Sequence, residues 1–301
     1  MFLAVEHCTD LRLLAFLDIK HKKNEIARIV LDEAHLCITW GSFRTEFNNL
    51  AQFRRYASVP WTLLSATVPV YLEQELSKMF GNINVIRKSC NRSNLSYTCH
   101  FEKDVNLAVL DLLKSKCIMQ KHATIIYVRY IDQVDELVKK INEFSDTIQA
   151  VGYHAKMNQK QKENSQMAFM NDKVPIIVAT SSFGMGIDKS NVRFVIQAGA
   201  SYSGPEAIQM GGRAGRDGQK AYYITYTNQR DLDKLGNYRP SNDNSLQFSI
   251  AQDQLKRYLN VLKVCIYIYM NQIVLNQLLL TILDRMRNSA DDLVSILLLI
   301  R

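Results

Sequence analysis

The sequence predicts an α/β protein built on parallel β-sheets and arranged as two successive units. Short apolar runs of strand length recur along the chain, and in its later part they alternate with stretches of helical periodicity. Several of these runs end in a cluster of acidic, hydroxyl or glycine residues. Because functional groups of open parallel sheets lie just beyond the carboxyl ends of the strands, these clusters are the first candidates for a functional site.

Length and composition restrict the class of protein. The chain has 301 residues, of which 47% are hydrophobic and 22% charged, as expected of a globular protein with room for two domains. Its six cysteines form no Cys-x-x-Cys pair, so we expect free thiols and no zinc site. The net charge of +8 is spread evenly and indicates a nucleic-acid partner only weakly. We expect no signal segment and no membrane span.

In the first unit, residues 2–5 predict a strand and residues 11–17 have near-helical spacing. Residues 29–31 then predict a buried strand that ends in Asp32 and Glu33, followed by His35. An aspartate there can hold Mg²⁺, and the glutamate can orient a water for attack on a γ-phosphate. The alternative is a strand that simply ends in solvated charges.

Aromatic and basic residues follow the acidic cluster. Trp40 and Arg44 can stack on bases and contact phosphates. The spacing of Phe47, Leu50 and Phe53 favours the buried stripe of a helix instead.

A second apolar strand is predicted over residues 62–67, with a helix over residues 71–80 after it. Its hydroxyls, Ser65 and Thr67, could bond the acidic cluster, or could only cap the next turn. The weak pattern of residues 81–100 predicts a connection between domains.

The second unit shows a regular alternation of strands and helices, which is typical of a mostly parallel sheet covered on both faces. One helix presents Val134, Leu137, Val138 and Ile141 on one face, and a polar helix spans residues 158–171. Strands are predicted over residues 123–128, 148–153, 176–180, 192–196 and 222–226.

Two loops of this unit carry further candidates. The loop over residues 180–188 contains Gly186 and Asp188, where backbone amides could approach a phosphate chain or merely form a turn. Residues 209–218 place Arg213 and Arg216 three apart among four glycines, so both side chains project to one side of a helical turn. Arginines of this kind stabilise the charge that develops in phosphoryl transfer.

Taken in order, these motifs resemble the motif series of the RecQ family of superfamily 2 DNA helicases over roughly residues 1–230. The variant sequences of the Trp40 loop and of the connector near Asn91 are similar to those of divergent fungal members. The matching segments are Asp32-Glu33-Ala34-His35, Trp40-Gly41, Phe43-Arg44, Ser65-Ala66-Thr67, Tyr153-His154-Ala155, Ala179-Thr180, Phe183-Gly184-Met185-Gly186-Ile187-Asp188-Lys189, Gln209 and Gly212-Arg213-Ala214-Gly215-Arg216-Asp217-Gly218.

The resemblance implies an ATP-dependent 3'-5' DNA helicase with two RecA-like domains, ATP and Mg²⁺ as cofactors, and single-stranded or forked DNA as partner. Residues 1–92 would form an incomplete first domain, residues 93–240 the second, and residues 241–301 a helical tail of unknown role. The expected location is intracellular, in the nucleus or the cytoplasm, without a membrane partner, and protein partners are unknown.

The resemblance also assigns roles to residues. The catalytic set would be Asp32 as the Mg²⁺ ligand, Glu33, His35, Arg213 and Arg216. Gln209, Gly186 and Asp188 would face the nucleotide. DNA binding and its coupling to hydrolysis would rest on Trp40, Phe43, Arg44, Ser65 and Thr67.

The sequence also departs from the family. These 301 residues contain no Gly-x-x-x-x-Gly-Lys-Ser/Thr loop, which the resemblance places upstream of the chain's start. Tyr130 and Ile131 replace a Ser-Arg pair, and Lys156 and Met210 replace Gly and Glu. We therefore expect negligible ATP hydrolysis by this chain alone. The alternatives are a catalytically inactive remnant that binds DNA or a protein partner, and an RNA helicase or other translocating ATPase.

Overall fold

A computed structural model describes residues 1–39, 50, 53, 55–66, 68, 70–89, 91–115, 122–144, 148–184, 187–236, 253 and 255–262. The chain divides into two compact units, the first formed by residues 1–88 and 239–254 and the second by residues 89–238 and 255–301. Within the described residues, none of the helices combines the length and the apolar character needed to cross a membrane.

The first unit is built on a parallel pair of short strands in which Ile29 lies opposite Trp61 and Leu31 opposite Leu63. The predicted helix near residue 11 is confirmed, and Asp10 caps it by accepting a hydrogen bond from the Arg12 amide at 2.9 Å. The elements are a 3₁₀ turn (Val5–His7), α1 (Leu11–Lys22), β1 (Ile29–Leu31), α2 (Leu36–Thr39), β2 (Trp61–Leu63) and α3 (Val70–Phe80).

The strand predicted at residues 2–5 is wrong. Residues 1–4 have no regular structure, the Phe2 side chain is fully exposed, and no described strand pairs with this segment. An apolar run without a neighbouring strand cannot satisfy its backbone groups as a ladder, so water solvates it instead. The second predicted strand is shorter than expected, because β2 ends at Leu63 and Ser65 lies in the turn after it.

The second unit is a six-stranded sheet, parallel throughout, with the strand order β3-β8-β7-β4-β6-β5. This confirms the predicted α/β class. The elements are β3 (Leu95–Phe101), α4 (Val105–Lys114), β4 (Ala123–Val128), α5 (Ile131–Phe144), β5 (Ala150–Tyr153), α6 (Gln159–Met170), β6 (Ile176–Ala179), β7 (Val192–Ala198), α7 (Gly204–Gly211), β8 (Ala221–Thr227) and α8 (Gln229–Gly236).

The centre of this sheet is buried on both faces. Every residue of β4, β6 and β7 is buried, which explains why these strands are continuous apolar runs in the sequence. Helix α5 covers one face with Val134, Leu137 and Ile141, as predicted. Helix α6 starts at a capping box in which Asn158 and Gln161 each bond the other's backbone amide.

The sequence prediction missed strand β3, which lies where a connection between domains was expected. Among the described strands it pairs only with β8, from Leu95 opposite Ala221 to Phe101 opposite Thr227, and so forms an edge of the sheet. Edge strands bury less surface than central ones and tolerate polar residues, which hid the pattern. Helical residues 255–262 lie in the region predicted to be a helical tail, and they pack Leu255, Tyr258 and Leu262 into the core of this unit.

Candidate active site

In the first unit, residues Asp32 to His35 form a tight turn directly after β1, which we call the acidic turn. Glu33 adopts the left-handed conformation with φ of 49°, and its amide donates to Asp32 Oδ1 at 2.9 Å. The Ala34 amide donates to the Leu64 carbonyl at 2.9 Å. The turn is thereby fixed to the end of the neighbouring strand, and a strained φ at a strand end is typical of functional sites.

His35 links the acidic turn to the turn after β2. Its Nδ1 lies 2.7 Å from Ser65 Oγ and 3.4 Å from Glu33 Oε2. The imidazole is buried, and burial lowers the pKa of His35 from 6.5 to about 4. His35 is therefore neutral at neutral pH, so its contact with Ser65 joins two uncharged groups.

Asp32 suits the role of a metal ligand. Its side chain is exposed, and its carboxylate offers the hard oxygen atoms that Mg²⁺ prefers. Among the described residues no three His, Cys, Asp or Glu side chains cluster closely enough to hold an ion by themselves. A single carboxylate fits Mg²⁺, which usually completes its shell with water and substrate phosphates.

In the second unit, Gly212 to Gln219 form a turn after α7, which we call the arginine turn. Helix α7 starts at Ser203, whose Oγ accepts from the Glu206 amide, and has Pro205 in its first turn. It carries Gln209 and ends at Gly211. The chain then bends sharply, and Gly215 has a φ of +58°.

The two arginines of this turn contact the same short segment after β6. Arg213 Nη1 donates to the Ile187 carbonyl at 3.5 Å, and Arg216 Nη1 lies 2.8 Å from Asp188 Oδ1. Asp188 is largely exposed, with 83% of its side chain accessible. The turn thus presents two cationic groups on one side, at a partly exposed surface.

Gly184 and Tyr127 pack closely against Arg213. Gly184 has a φ of +139°, which favours glycine, and a Cβ there would lie 3.1 Å from the Tyr127 hydroxyl and 3.3 Å from Arg213 Nε, closer than most real contacts. The Tyr127 hydroxyl donates to the Phe183 carbonyl at 3.0 Å. Burial raises the pKa of Tyr127, while the Arg213 guanidinium acts in the opposite direction. Tyr127 therefore stays neutral beside the arginine.

Within each unit, the structure brings some of the predicted site residues close together. In the first unit Asp32, Glu33, His35 and Ser65 share one strand-end region, and in the second unit Asp188, Arg213 and Arg216 share another. Gln209 lies on α7, one turn before the arginines. The predicted residues Trp40, Phe43, Arg44, Thr67 and Gly186 lie outside the described residues.

Sequence reasoning missed two residues that contact the arginine turn. Arg92 and Asn94, in the predicted interdomain connection, donate hydrogen bonds to the carbonyls of this turn. The only local signal was an arginine and an asparagine directly before a weak apolar alternation, which is typical of many loops.

Comparison with known proteins shows the family of this chain. Residues 104–218 match the family model of the Helicase conserved C-terminal domain. The ATP-dependent helicase SGS1 of Saccharomyces cerevisiae is 33% identical over 216 residues, covering 69% of this chain and 14% of that protein. The RecQ-like DNA helicase BLM of Xenopus laevis is 30% identical over 237 residues, covering 76% of this chain and 17% of that protein.

Solved structures agree on the fold. The DUF1998 helicase MrfA bound to DNA and AMPPNP has a TM-score of 0.61 at 18% identity, covering 77% of this chain and 35% of that one. The parallel α/β sheet of the second unit thus has the RecA-like fold of helicase domains. The chain belongs to the superfamily 2 helicases, and its relatives within that superfamily are RecQ helicases. It spans 14% and 17% of the lengths of the two relatives named above.

Proposed function

We propose that this chain carries hydrolysis and coupling residues of an ATP-dependent 3'-5' DNA helicase of the RecQ type. The observation that carries the proposal is the contact between His35 and Ser65 at 2.7 Å. It connects the acidic turn, where hydrolysis would occur, with the turn of a neighbouring strand. A change in the position of one turn would therefore be transmitted directly to the other, as the coupling of ATP hydrolysis to movement of the DNA strand requires.

Asp32 and Glu33 would divide the chemistry between them. When bound, MgATP supplies the γ-phosphoryl group and the metal that neutralises its charge. Asp32 would hold the metal through its exposed carboxylate, and Glu33 would orient a water and accept its proton. The hydrogen bond from the Glu33 backbone amide fixes the Asp32 carboxylate against the backbone of the acidic turn.

Arg213 and Arg216 would stabilise the negative charge that develops on the phosphoryl oxygens. Guanidinium groups suit this role because they remain charged and offer several donors in a fixed plane. Both arginines contact the segment around Ile187 and Asp188, so the fold keeps them on the same side. Gln209, one turn earlier on α7, would contact the nucleotide.

The proposed substrate is DNA rather than RNA. Several relatives are named DNA helicases, among them BLM of Xenopus laevis and Q5 of Mus musculus. The competing reading of an RNA helicase predicts that RNA stimulates ATP turnover more than DNA does. Turnover measured with single-stranded DNA and RNA of matched sequence therefore discriminates between the two.

The main test supplies the phosphate-binding loop that these 301 residues do not contain. Residues 1–301 are fused behind the segment that precedes the matched region in yeast SGS1, and ATP hydrolysis is measured with single-stranded DNA. We expect DNA-stimulated turnover that falls about a hundredfold or more in Glu33→Gln and in Arg213→Ala. A folded fusion protein with background turnover, or turnover that survives both substitutions, would contradict the proposal.

A second candidate is a non-catalytic protein that binds DNA or a protein partner. It is favoured by the absence of a Gly-x-x-x-x-Gly-Lys-Ser/Thr loop from the sequence. For the unfused chain we expect background ATP turnover, because the remaining residues cannot hold a γ-phosphate in line for attack. Turnover by the unfused chain that disappears in Glu33→Gln would show that it contains another phosphate-binding loop and would exclude the non-catalytic candidate.

A further inference from the structure

The carbonyls of the arginine turn are held by two side chains from the segment that precedes β3. Arg92 Nη2 donates to the Ala214 carbonyl at 2.6 Å. Asn94 Nδ2 donates to the carbonyls of Gly215 and Gln219, both at 2.8 Å. An amide nitrogen carries two hydrogens, so Asn94 can satisfy both carbonyls at once and join the two sides of the turn.

The backbone around these residues holds Asn94 in place. The Asn94 carbonyl accepts from the Ala221 amide at 2.9 Å, directly before the pairing of Leu95 with Ala221 begins. The Gly215 amide donates to the Val192 carbonyl at 2.8 Å. Asn94 is therefore fixed by β3 and β8, while the turn that it holds is also fixed to β7.

The fit around Gly215 shows that Asn94 packs directly against the turn. A Cβ at Gly215 would lie 2.7 Å from Asn94 Nδ2, which is closer than real side-chain contacts allow. The backbone of the turn has thus approached Asn94 as far as sterics permit. Arg213 and Arg216 flank Ala214 and Gly215, the residues whose carbonyls accept from Arg92 and Asn94.

We infer that Arg92 and Asn94 are positioning residues that set the direction in which Arg213 and Arg216 point. Their catalytic meaning rests on the proposed function, but their effect on the geometry of the turn does not. The competing explanation is that Arg92 and Asn94 only stabilise the edge of the sheet. The two explanations differ in where a substitution acts, because a positioning role changes the turn and leaves the centre of the sheet unchanged.

The test uses the full chain with Asn94→Asp, which has the same shape but replaces two donors with a carboxylate that faces carbonyls. Arg92→Lys keeps the charge and removes the guanidinium geometry. Ser93→Ala, at the exposed residue between them, is the matched control. Amide hydrogen exchange is measured at Gly215 and Gly218, and in β4 as the reference for global opening.

For Asn94→Asp we expect exchange about five- to tenfold faster at Gly215 and Gly218, with unchanged exchange in β4. Arg92→Lys should give a smaller acceleration of the same amides, and Ser93→Ala none. Equal acceleration in the turn and in β4 would overturn the inference in favour of simple stabilisation. Unchanged exchange in the turn would overturn it as well.

The side-chain Nε–H signals of Arg213 and Arg216 provide the second measurement, first without ligand and then with ATP and Mg²⁺. Without ligand, Asn94→Asp should move both signals and leave that of Arg12, in the first unit, unchanged; signals identical to wild type would contradict the inference. The ATP measurement uses the fusion with the SGS1 segment, where ATP should shift the signals of Arg213 and Arg216, and the shift should be at least threefold smaller in the fusion that carries Asn94→Asp. A folded fusion protein whose signals do not change with ATP would count against the proposed function alone.

Discussion

The acidic turn follows strand β1, whereas the arginine turn lies between α7 and β8, and the two turns are held in different ways. The acidic turn is fixed by a contact between the adjacent residues Asp32 and Glu33 and by Ser65, 30 residues from His35. The arginine turn is held by Arg92 and Asn94, more than 120 residues away, and also by the start of β7, through the Gly215 amide and the Arg193–Asp217 ion pair. These contacts of the acidic turn span 30 residues or fewer, whereas those of Arg92 and Asn94 require β3 to be paired with β8.

The largest expected effect comes from forcing the arginine turn away from its partners. Gly215→Ala adds a Cβ within 3.0 Å of three heavy atoms at a residue with φ of +58°. Left-handed strain and overpacking together should lower the free energy of unfolding of the second unit by about 3 kcal/mol. Urea unfolding, followed by a probe in the second unit, measures this change.

Gly218→Ala is the matched control for that substitution. Gly218 also has a positive φ, of +81°, but a Cβ there meets nothing within 4 Å. Only the backbone strain remains, and we expect a loss of about 1 kcal/mol. Equal losses in the two variants would mean that close packing against Asn94 contributes nothing to holding the turn.

The next expected effect concerns His35 of the acidic turn, which should make the free energy of unfolding depend on pH. Burial lowers the pKa of His35 to about 4, against 6.5 for the unfolded chain, so the unfolded state binds more protons between these values. Stability is therefore lost as the pH falls from 6.5 towards 4. The His35 contribution should decrease by about 2 kcal/mol between pH 7 and pH 5.

The measurement is the pH dependence of unfolding of the first unit in wild type and in His35→Asn. His100, in the second unit, also has a pKa lowered chiefly by burial, so only the difference between the two proteins reports His35. The variant should show a flatter dependence over this range. The same slope in both proteins would mean that folding does not change the pKa of His35, and the account of a buried imidazole that stays neutral towards pH 5 would be wrong.

The smallest expected effect concerns the more exposed ion pair of the arginine turn, between Arg216 and Asp188. Arg216 and Asp188 approach to 2.8 Å, but 83% of the Asp188 side chain is exposed. Exposed pairs are weakened by solvent and by salt, so Asp188→Asn should change the free energy of unfolding by less than about 0.5 kcal/mol. Chemical unfolding at low and high salt measures it. A loss well above 1 kcal/mol would show that this pair, rather than Arg92 and Asn94, holds the turn.

The difference between the two turns also explains what the sequence could predict. The acidic turn was visible because its residues are consecutive and follow an apolar run of strand length, and the central strands β4, β6 and β7 were visible because burial on both faces makes them continuously apolar. The prediction of a strand at residues 2–5 was wrong because an apolar run in the sequence does not show whether a neighbouring strand exists to pair with it.

The contacts of Arg92 and Asn94 could not be predicted, because they depend on the pairing of β3 with β8. Strand β3 was itself hidden by its place at the edge of the sheet. The prediction that Arg213 and Arg216 project to one side rested on the spacing of a helical turn, but helix α7 ends at Gly211 and the arginines lie in the turn after it. Local patterns thus predict elements, while contacts between distant elements require the fold.

The hydrogen bond between Asn94 and Gly215 also has a consequence for the order of folding. It joins residues 121 positions apart, and closing a loop of that length costs about 4 kcal/mol of chain entropy. Contacts of this kind form after the local ones that shorten the loop, such as those between β4 and its neighbours. During synthesis, the acidic turn can take its final shape while the arginines are still untranslated. The contacts of Arg92 and Asn94 with the arginine turn form only once β8 has emerged and paired with β3, so they are completed after the acidic turn.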